Sequence, residues 1–453
     1  MPENVDRNRS MNEGTGKYLH IDENNAQVNW EAFVRDNYAL LLHIPTSHIV
    51  AIPPEFGEKL FQGDNDPETV KILEDIETQL PAAKKREVAD VDITAIALNV
   101  SQNCNFRCVY CYADGDYGNP STMNFDTAKK TIDFFVHNTE KPHITFLGGE
   151  PLLNFSLIKE VVDYCKSMPE KEFAYKIISN GSLLNDENIL FLKGNKFEVC
   201  ISFDCLELQE KQRFFADGTD TEKTVIAKLD ALKNEFPEPK QIVLRSTVTK
   251  DNISLLENAA LATLKRFNTH LCLTPETSCR QERRFSREDI IRVGAVLEKI
   301  VDTFLKEEDF ESLINITNIG GRIAALHNGK CLQPYCGAGI SYLSVSCSGK
   351  FYLCHRYTED KNAFVGDLES GIDKEKLQTI TRSRLIDFYP CNTCWIRELC
   401  GGGCYHQNEA ATGGYSTPDP LGCLLQSIEY EQAMRVYMML LTQKPELLEQ
   451  LEL

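Results

Sequence analysis

The chain has 453 residues, of which 42% are hydrophobic and 25% are charged, so it can form two or three soluble domains with a sizeable core. Its formal net charge of -19 argues against a nucleic-acid or anionic-membrane partner, because such partners are bound mainly by clustered Lys and Arg. The sequence has no signal-peptide pattern and no apolar run of membrane-spanning length. We therefore expect a cytoplasmic protein.

The 17 cysteines suggest bound metal more than disulfide bonds. A disulfide framework is typical of short secreted domains that lack a core, and this chain is neither short nor preceded by a signal peptide. Cysteines crowd into residues 331–423, which predicts a separate module built around them. The cysteines that fit none of the spaced patterns below are expected in the core: Cys165, Cys200, Cys205, Cys272, Cys279 and Cys347.

The first ninety residues have their own pattern. They begin with a polar stretch that is predicted to be disordered. Two apolar runs, 38–44 and 48–52, flank a Thr-Ser turn and predict a β-hairpin, with short helices after it.

From residue 92 the pattern changes to strands that alternate with helices. The candidate strands are short and rich in Val, Ile and Phe, and they span 92–100, 143–148, 174–179, 197–204, 241–249 and 270–275. Helical patterns lie between them, at 125–135, 157–165, 220–235 and 252–266. This alternation predicts an α/β fold with a parallel sheet, here a partial (β/α)6 barrel similar to a TIM barrel.

Polar residues follow the predicted strands, at the end where such barrels carry functional groups. Cys104, Cys108 and Cys111 follow the first strand in a C-x3-C-x2-C pattern. Thiolates hold iron–sulfur clusters, and three of them would leave one iron of a four-iron cluster open to another ligand. Later strands are followed by, or contain, Gly148-Gly149-Glu150-Pro151, Ser179-Asn180-Gly181, Ser202-Phe203-Asp204 and Arg245. Glycines permit close approach, and the polar groups suit a zwitterionic, amino-acid-like cofactor.

A zinc site with a distant fourth ligand is the alternative for the three cysteines, and a zinc-bound peptide scaffold is the matching non-enzymatic alternative. The cysteine loop and the Gly-Gly-Glu-Pro run together resemble the radical S-adenosylmethionine (radical SAM) superfamily. The resemblance implies S-adenosyl-L-methionine on the open iron and its reductive cleavage to a 5′-deoxyadenosyl radical. By position it implies cofactor contacts from Tyr110 (adenine), Gly148, Gly149 and Glu150 (methionine amino group), and Asn180, Ser202 and Arg245 (ribose and carboxylate).

The C-terminal cysteines resemble the SPASM extension of peptide-modifying radical SAM enzymes, which carries two auxiliary four-iron (4Fe-4S) clusters. The resemblance implies three clusters in all. Its interleaved ligation assigns Cys336, Cys354 and Cys404, with Cys331 as a fourth ligand, to the first auxiliary cluster, and Cys391, Cys394, Cys400 and Cys423 to the second. If Cys331 does not bind iron, a substrate thiolate could take its place. Two zinc knuckles are the alternative.

The N-terminal unit resembles, by size and pattern, the winged-helix-like leader-recognition element of ribosomal-peptide maturases, with a barrel-capping extension as the alternative. The run 111–118 resembles a loop of thioether-forming maturases of the SCIFF, ranthipeptide and sactipeptide type. The resemblance implies a ribosomal precursor peptide with a leader as substrate, thioether bonds as product, and a flavodoxin or ferredoxin as electron donor. Carbon–carbon crosslinking, epimerisation, and sulfatase or quinohemoprotein maturation remain alternatives.

Two residues depart from the family pattern. Cys205 follows Ser-x-Asp where a glycine is usual, so the loop there is expected to differ in shape. His355 follows Cys354 where sulfatase-maturing relatives carry the aspartate proposed as their base, which argues against that activity. The patterns divide the chain into residues 1–90, 91–310, 311–430 and a C-terminal helix over 431–453.

Overall fold

The computed structural model describes residues 17–21, 30–35, 38–61, 67–82, 91–111, 121–277, 281–329, 336–381 and 385–451. Several predictions fall outside these ranges: the disordered opening up to residue 16, the loop after Cys111, the core role of Cys279 and the ligand role of Cys331. Within the described ranges, no helix is both long enough and apolar enough to cross a membrane.

An antiparallel sheet and two helices form the N-terminal unit, in the strand order β1-β2-β3-β4. Its elements are β1 (Lys17–Ile21), β2 (Trp30–Arg35), β3 (Tyr38–His43), β4 (His48–Ile52), α1 (Pro54–Phe61) and α2 (Pro67–Gln79). The predicted hairpin is the pair β3–β4, and the predicted helices follow it. Strands β1 and β2 were not predicted, because their sequences mix charged and apolar residues instead of forming an apolar run.

Side chains of β3 alternate between two apolar cores. Ala39 and Leu41 pack in a core that includes Leu60 of α1. Leu40 and Leu42 belong instead to the core of the main body. Because alternate residues of a strand point to opposite faces, the sheet is buried on both sides. Packing, and not only the chain connection, therefore joins the N-terminal unit to the rest of the protein.

The predicted parallel strands all form, within a few residues of their expected bounds. The elements of this central part are β5 (Ala95–Ser101), β6 (Phe106–Cys108), α3 (Phe125–Phe135), β7 (His143–Gly148), α4 (Phe155–Lys166), β8 (Ala174–Ser179), α5 (Asp186–Gly194), β9 (Glu198–Ser202), α6 (Gln209–Gln212), β10 (Arg213–Phe215), α7 (Glu222–Glu235), β11 (Ile242–Val248), α8 (Ile253–Phe267), β12 (His270–Pro275), α9 (Arg287–Lys306), α10 (Phe310–Asn315) and α11 (Thr317–His327). The parallel order is β12-β11-β9-β8-β7-β5, and the sheet of described strands does not close on itself, as expected for a partial barrel.

The cysteine-rich segment continues the same sheet. Its elements are β13 (Tyr342–Val345), β14 (Lys350–Tyr352), β15 (Phe364–Asp367), β16 (Gly371–Ile372), α12 (Lys374–Thr381), α13 (Arg397–Cys400), α14 (Tyr405–Thr412), α15 (Pro420–Gln443) and α16 (Pro445–Glu449). Strand β13 pairs in parallel with β5, where Leu343 lies opposite Ile96, and β14 to β16 follow in antiparallel pairs. Strand β13 satisfies the backbone groups along one edge of β5, so the cysteine-rich segment and the parallel strands share one sheet.

Helix α15 crosses the expected boundary at residue 430 without a break. It packs closely against α9, because a Cβ at Gly294 would lie only 2.9 Å from Ile428 Cδ1. Met434 and Met438 are buried in the main core. The C-terminal helix is thus part of the central body.

We predict that Leu42→Ala destabilises the protein by about 2 to 5 kcal/mol, because it leaves a cavity between the N-terminal sheet and the main body. The side chain of Leu42 is fully buried. A fall in the melting temperature measured by circular dichroism would show the loss. Leu190→Ala is the matched control, because Leu190 is 57% exposed and its truncation should leave the melting temperature nearly unchanged. Equal effects of the two changes would contradict the packing of β3 on the body.

Candidate active site

The cysteine loop after β5 is held by the loop after β7. The amide of Gly149 donates to the Ser101 carbonyl at 2.7 Å, and the amide of Glu150 donates to the Asn103 carbonyl at 2.8 Å. A Cβ at Gly148, whose φ is +151°, would lie 2.1 Å from Ser101 O, and one at Gly149 would lie 2.4 Å from Asn103 O. Only glycine fits this close backbone approach.

Glu150 is fully buried, and its carboxylate is hydrogen-bonded to groups of the protein. Its carboxylate accepts hydrogen bonds from Ser179 Oγ at 2.7 Å, from the Asn180 amide at 2.7 Å and from the Leu152 amide at 3.0 Å. Burial raises the pKa of Glu150, while these hydrogen bonds favour the ionised form and oppose the shift. The side chain therefore ties the end of β7 to the end of β8, which makes it a positioning residue.

The other predicted site residues of the barrel share one cavity of about 200 Å³. It lies at the carboxyl ends of the parallel strands. The predicted residues that line it are Cys104, Cys108, Tyr110, Cys111, Gly148, Gly149, Asn180, Ser202 and Arg245. Asn180 is placed beside the cysteine loop, because its Nδ2 lies 3.9 Å from Cys104 Sγ and 2.9 Å from Asn105 Oδ1. The cavity thus combines thiols, amides and guanidinium groups.

A buried network lies behind the cysteine loop. The hydroxyl of Tyr110 donates to Asp204, and Arg213 Nη1 donates to that hydroxyl at 2.7 Å. Asp204 also accepts a hydrogen bond of 2.8 Å from the Thr247 amide. Burial raises the pKa of Asp204, and the positive charge of Arg213 opposes that shift. Tyr110 is therefore anchored through its hydroxyl, and only its ring is left to contact a ligand.

Sequence reasoning missed Arg213. It begins β10, whose residues pair with the cysteine-loop strand β6, so that Arg213 lies opposite Cys108. The side chain lines the cavity and is only 8% exposed. The surrounding sequence is polar and the strand has three residues, so no periodic pattern marked it. A lone arginine in the loop after the Ser-x-Asp run was the one available signal.

Cys205 has a backbone conformation that is unusual for a residue with a side chain. Its φ is +69°, in the left-handed region that favours glycine, and its side chain is completely buried. Cysteine here adopts the conformation in which glycine is usual, and the loop brings Asp204 to Tyr110.

The cysteine-rich segment forms one wall of the cavity through His355 and Arg356. His355 Nδ1 lies 3.1 Å from the Tyr342 hydroxyl, and Arg356 donates to Thr277 at the end of β12. Burial, together with the positive charge of Arg356, lowers the pKa of His355 to about 3. A neutral imidazole therefore faces the cavity where relatives were expected to carry a carboxylate.

Seven cysteines of the C-terminal segment gather in two groups. The thiol of Cys354 interacts electrostatically with those of Cys336 and Cys404. The thiol of Cys423 interacts in the same way with those of Cys400, Cys394 and Cys391. Three successive glycines between Cys400 and Cys404, Gly401-Gly402-Gly403, have φ values of +68°, +94° and +81° and turn the chain so that these two thiols join different groups.

The donor sets suit iron–sulfur clusters. Burial raises the pKa of Cys108, Cys354 and Cys394 to about 12 each, so binding of a metal must displace their protons. In the parts of the chain that the structure covers, no three His, Cys, Asp or Glu side chains converge tightly enough for a single ion. Three thiols around an open cavity, and all-thiol groups elsewhere, match the ligand preference of iron–sulfur clusters.

We predict that Gly149→Ala destabilises the protein by about 1 to 3 kcal/mol, because the added methyl group pushes the cysteine loop away. Chemical denaturation monitored by fluorescence would measure this loss. Gly194→Ala is the control, since a Cβ at Gly194 meets nothing within 4 Å. There we expect unchanged or slightly increased stability, because alanine favours a helix. A tolerated Gly149→Ala would contradict the tight contact.

We predict that Arg213→Met costs about 3 to 5 kcal/mol, because it leaves the Asp204 carboxylate buried without its cation. Loss of the cation raises the pKa of Asp204 further, so the destabilisation should be larger at pH 8 than at pH 5, where the folded state more readily keeps the carboxyl protonated. Urea denaturation at both pH values tests this. Arg266→Met breaks the exposed pair Arg266–Asp230 and should cost less than about 1 kcal/mol at either pH.

Comparison with known proteins agrees with this arrangement. Residues 98–260 match the family model described as the radical SAM superfamily. An uncharacterized protein of Methanocaldococcus jannaschii, MJ0907, is 34% identical over 163 residues, which are 36% of this chain and 55% of that protein. The chain thus spans about half the length of that relative. The radical SAM cyclopropyl synthase TigE of Paramaledivibacter caminithermalis is 24% identical over 425 residues, 87% of this chain and 84% of TigE.

Solved structures share the fold. Native anSMEcpe with bound AdoMet and Cp18Cys peptide has a TM-score of 0.63 and 18% identity, covering 76% of this chain and 98% of its own. Streptococcus suis SuiB bound to precursor peptide SuiA has a TM-score of 0.51 and 11% identity, covering 85% of this chain and 96% of its own. The family match covers the strands whose ends form the cavity, including the three cysteines of the first loop. Residues 98–260 therefore belong to the radical SAM superfamily.

Proposed function

We propose that this enzyme is a maturase that modifies a ribosomally made precursor peptide. The observation that carries the proposal is the position of the cavity between the three-cysteine loop and the cysteine-rich segment, whose His355 and Arg356 line it. A substrate in this cavity lies between the site of radical formation and the two outer cysteine groups. Similarity to TigE over 87% of this chain, and the peptides bound by anSMEcpe and SuiB, support a peptide substrate.

The N-terminal unit would bind the leader of that peptide. In the described part of the sheet, β1 and β4 are the edge strands, and His48 to Ala51 of β4 are exposed or partly exposed. An extended leader can add to such an edge through main-chain hydrogen bonds. Because the same sheet packs on the main body through Leu40 and Leu42, a bound leader would stay at a fixed distance from the cavity. We retain residues 1–90 as the recognition unit and 311–430 as the SPASM segment of this proposal.

Residues of the barrel would hold the cofactor. When bound, the 4Fe-4S cluster and S-adenosylmethionine supply a 5′-deoxyadenosyl radical, which removes one hydrogen atom from the substrate. Arg245 and Ser202 lie at the cavity wall and can bind a carboxylate, with Arg213 close behind the thiols. Asn180 lies beside Cys104, where its amide can contact the ligand of the open iron. Neutral His355 and Tyr342 would orient the peptide on the opposite side.

We further assign the two outer groups to auxiliary 4Fe-4S clusters. Cys336, Cys354 and Cys404 would hold the first, with Cys331 as its fourth ligand, and Cys391, Cys394, Cys400 and Cys423 would hold the second. Three clusters predict about twelve irons per chain. A flavodoxin or ferredoxin would supply the electrons. Two or three zinc ions and a colourless protein would contradict this assignment.

A thioether is the bond we favour. Its formation removes a hydrogen atom from a carbon of the acceptor residue, and a proton and an electron from the cysteine side, so the peptide loses two mass units. The electron needs a one-electron acceptor, a class that includes oxidised iron–sulfur clusters. The similarity to the cyclopropyl synthase TigE favours formation of a cyclopropyl ring as the second candidate. Alkylation with iodoacetamide separates the two, because a thioether sulfur does not react and a free cysteine does.

We predict that the reconstituted enzyme, incubated anaerobically with S-adenosylmethionine, dithionite and the precursor peptide encoded beside its gene, lowers the peptide mass by two units per modification. Tandem mass spectrometry would locate the linked residues. Cys111→Ala should abolish the change, because it removes a ligand of the radical-forming cluster.

Cys165→Ala is the matched control, since Cys165 lies in α4 and is buried in the main core. This variant should keep full activity. Wild-type enzyme with its full iron content that cleaves S-adenosylmethionine but leaves the peptide unchanged would refute the peptide-maturase proposal. Modification by the Cys111→Ala variant would refute the radical mechanism.

A further inference from the structure

A buried ion pair joins α11 to α15. Arg322 of α11 donates to the carboxylate of Glu429 on α15, and their side chains are 16% and 4% exposed. Asn318 Nδ2 donates to the same carboxylate at 2.6 Å, and Arg322 Nη2 also donates to Gln426 Oε1 at 3.0 Å. The guanidinium is therefore held in one orientation by groups from both helices.

The pair lines a second cavity, of about 190 Å³, beside the outer thiols. Cys400 and Cys423, two of the four proposed ligands of the second auxiliary cluster, line the same cavity. Both charges of the pair thus share one cavity with two thiols of this group.

The pair is also tied to the substrate side of the barrel. The amide of Leu273 donates to Asn318 Oδ1 at 2.8 Å, and Asn318 Nδ2 donates to the Leu273 carbonyl at 2.9 Å. The next residues of β12, Thr274 and Pro275, line both the active-site cavity and the second cavity. Asn318 therefore fixes the ion pair to the strand that separates the two cavities.

We propose that Arg322 sets the reduction potential of the second auxiliary cluster and that Glu429 orients it. The inference rests on the proposed assignment of a cluster to Cys391, Cys394, Cys400 and Cys423. One-electron reduction adds a negative charge to a cluster, and a fixed cation beside it stabilises the reduced state in a medium of low dielectric constant. The positive charge of Arg322 thus raises the reduction potential of the cluster, whereas the negative charge of Glu429 lowers it.

The test is a redox titration of the full-length, reconstituted enzyme followed by electron paramagnetic resonance. The signal of the second auxiliary cluster is the one that Cys423→Ala removes. We expect Arg322→Gln to lower the equilibrium constant for reduction of this cluster at least tenfold. For a one-electron couple this lowers the reduction potential by about 59 mV. Glu429→Gln should shift the same potential in the opposite direction. The other two clusters should keep their potentials, and Arg322→Lys should retain most of the wild-type value.

Arg435→Gln is the matched control. Arg435 lies on α15, the helix that carries Glu429, and forms a partly buried ion pair with Asp302 of α9. Its loss therefore has a similar structural effect away from the cysteines. This variant should leave all three potentials unchanged. Equal potentials in wild type, Arg322→Gln and Glu429→Gln, at equal iron content, would overturn the inference.

Iron analysis separates this failure from failure of the proposed function. Wild-type enzyme without a cluster at Cys391, Cys394, Cys400 and Cys423 would refute the assignment on which the inference rests. If Arg322→Gln fails to assemble the cluster, the reduction potential of Glu429→Gln still tests the inference, because it should be higher than that of the wild type. An unchanged or lowered potential in Glu429→Gln would then count against the role of the pair.

Discussion

The geometry of the active site depends on the close approach of two backbone segments. The amides of Gly149 and Glu150 donate to carbonyl groups of the cysteine loop, at 2.7 and 2.8 Å. The carboxylate of Glu150 also accepts hydrogen bonds from Ser179 and from the Asn180 amide. The cysteine loop is therefore connected, through Glu150, to the end of β8. A thiol at Cys104 is therefore placed with respect to two strands by hydrogen bonds that require no side chain at residues 148 and 149.

A buried charge forms the second connection of the cysteine loop. Strand β10 pairs with β6, and this pairing brings Arg213 opposite Cys108. The Arg213 guanidinium offsets the cost of burying the charge of Asp204 completely. Asp204 in turn accepts a hydrogen bond from Tyr110, which lies between Cys108 and Cys111 in the chain. Thiols that lose their protons when they bind iron gain negative charge, so a fixed cation at this position favours the occupied site. Stability and metal binding thus use the same arginine.

The parallel strands and the cavity residues at their ends could be predicted, because buried parallel strands are continuous apolar runs and motif residues follow them directly. The position of Arg213 could not be predicted, because a strand of three residues is too short to show an alternating apolar pattern. Helix α5 was missed because it is short, although Asn185 and Asn188 form a capping box at its start. The pairing of β13 with β5 joins residues far apart in the chain, and no local pattern encodes such a partner.

That pairing explains how the outer cysteine groups are placed with respect to the cavity. Strand β5 leads into the cysteine loop, and it lies between β7, which ends at Gly148, and β13, which precedes Cys354. The cavity and the first outer cysteine group are therefore connected by hydrogen-bonded neighbours in one sheet, not by a linker. Neighbouring strands of a sheet cannot easily slide past each other, because sliding breaks the ladder of hydrogen bonds and turns side chains to the wrong face. A ligand in the cavity would consequently face His355 and Arg356 at a separation that the sheet sets.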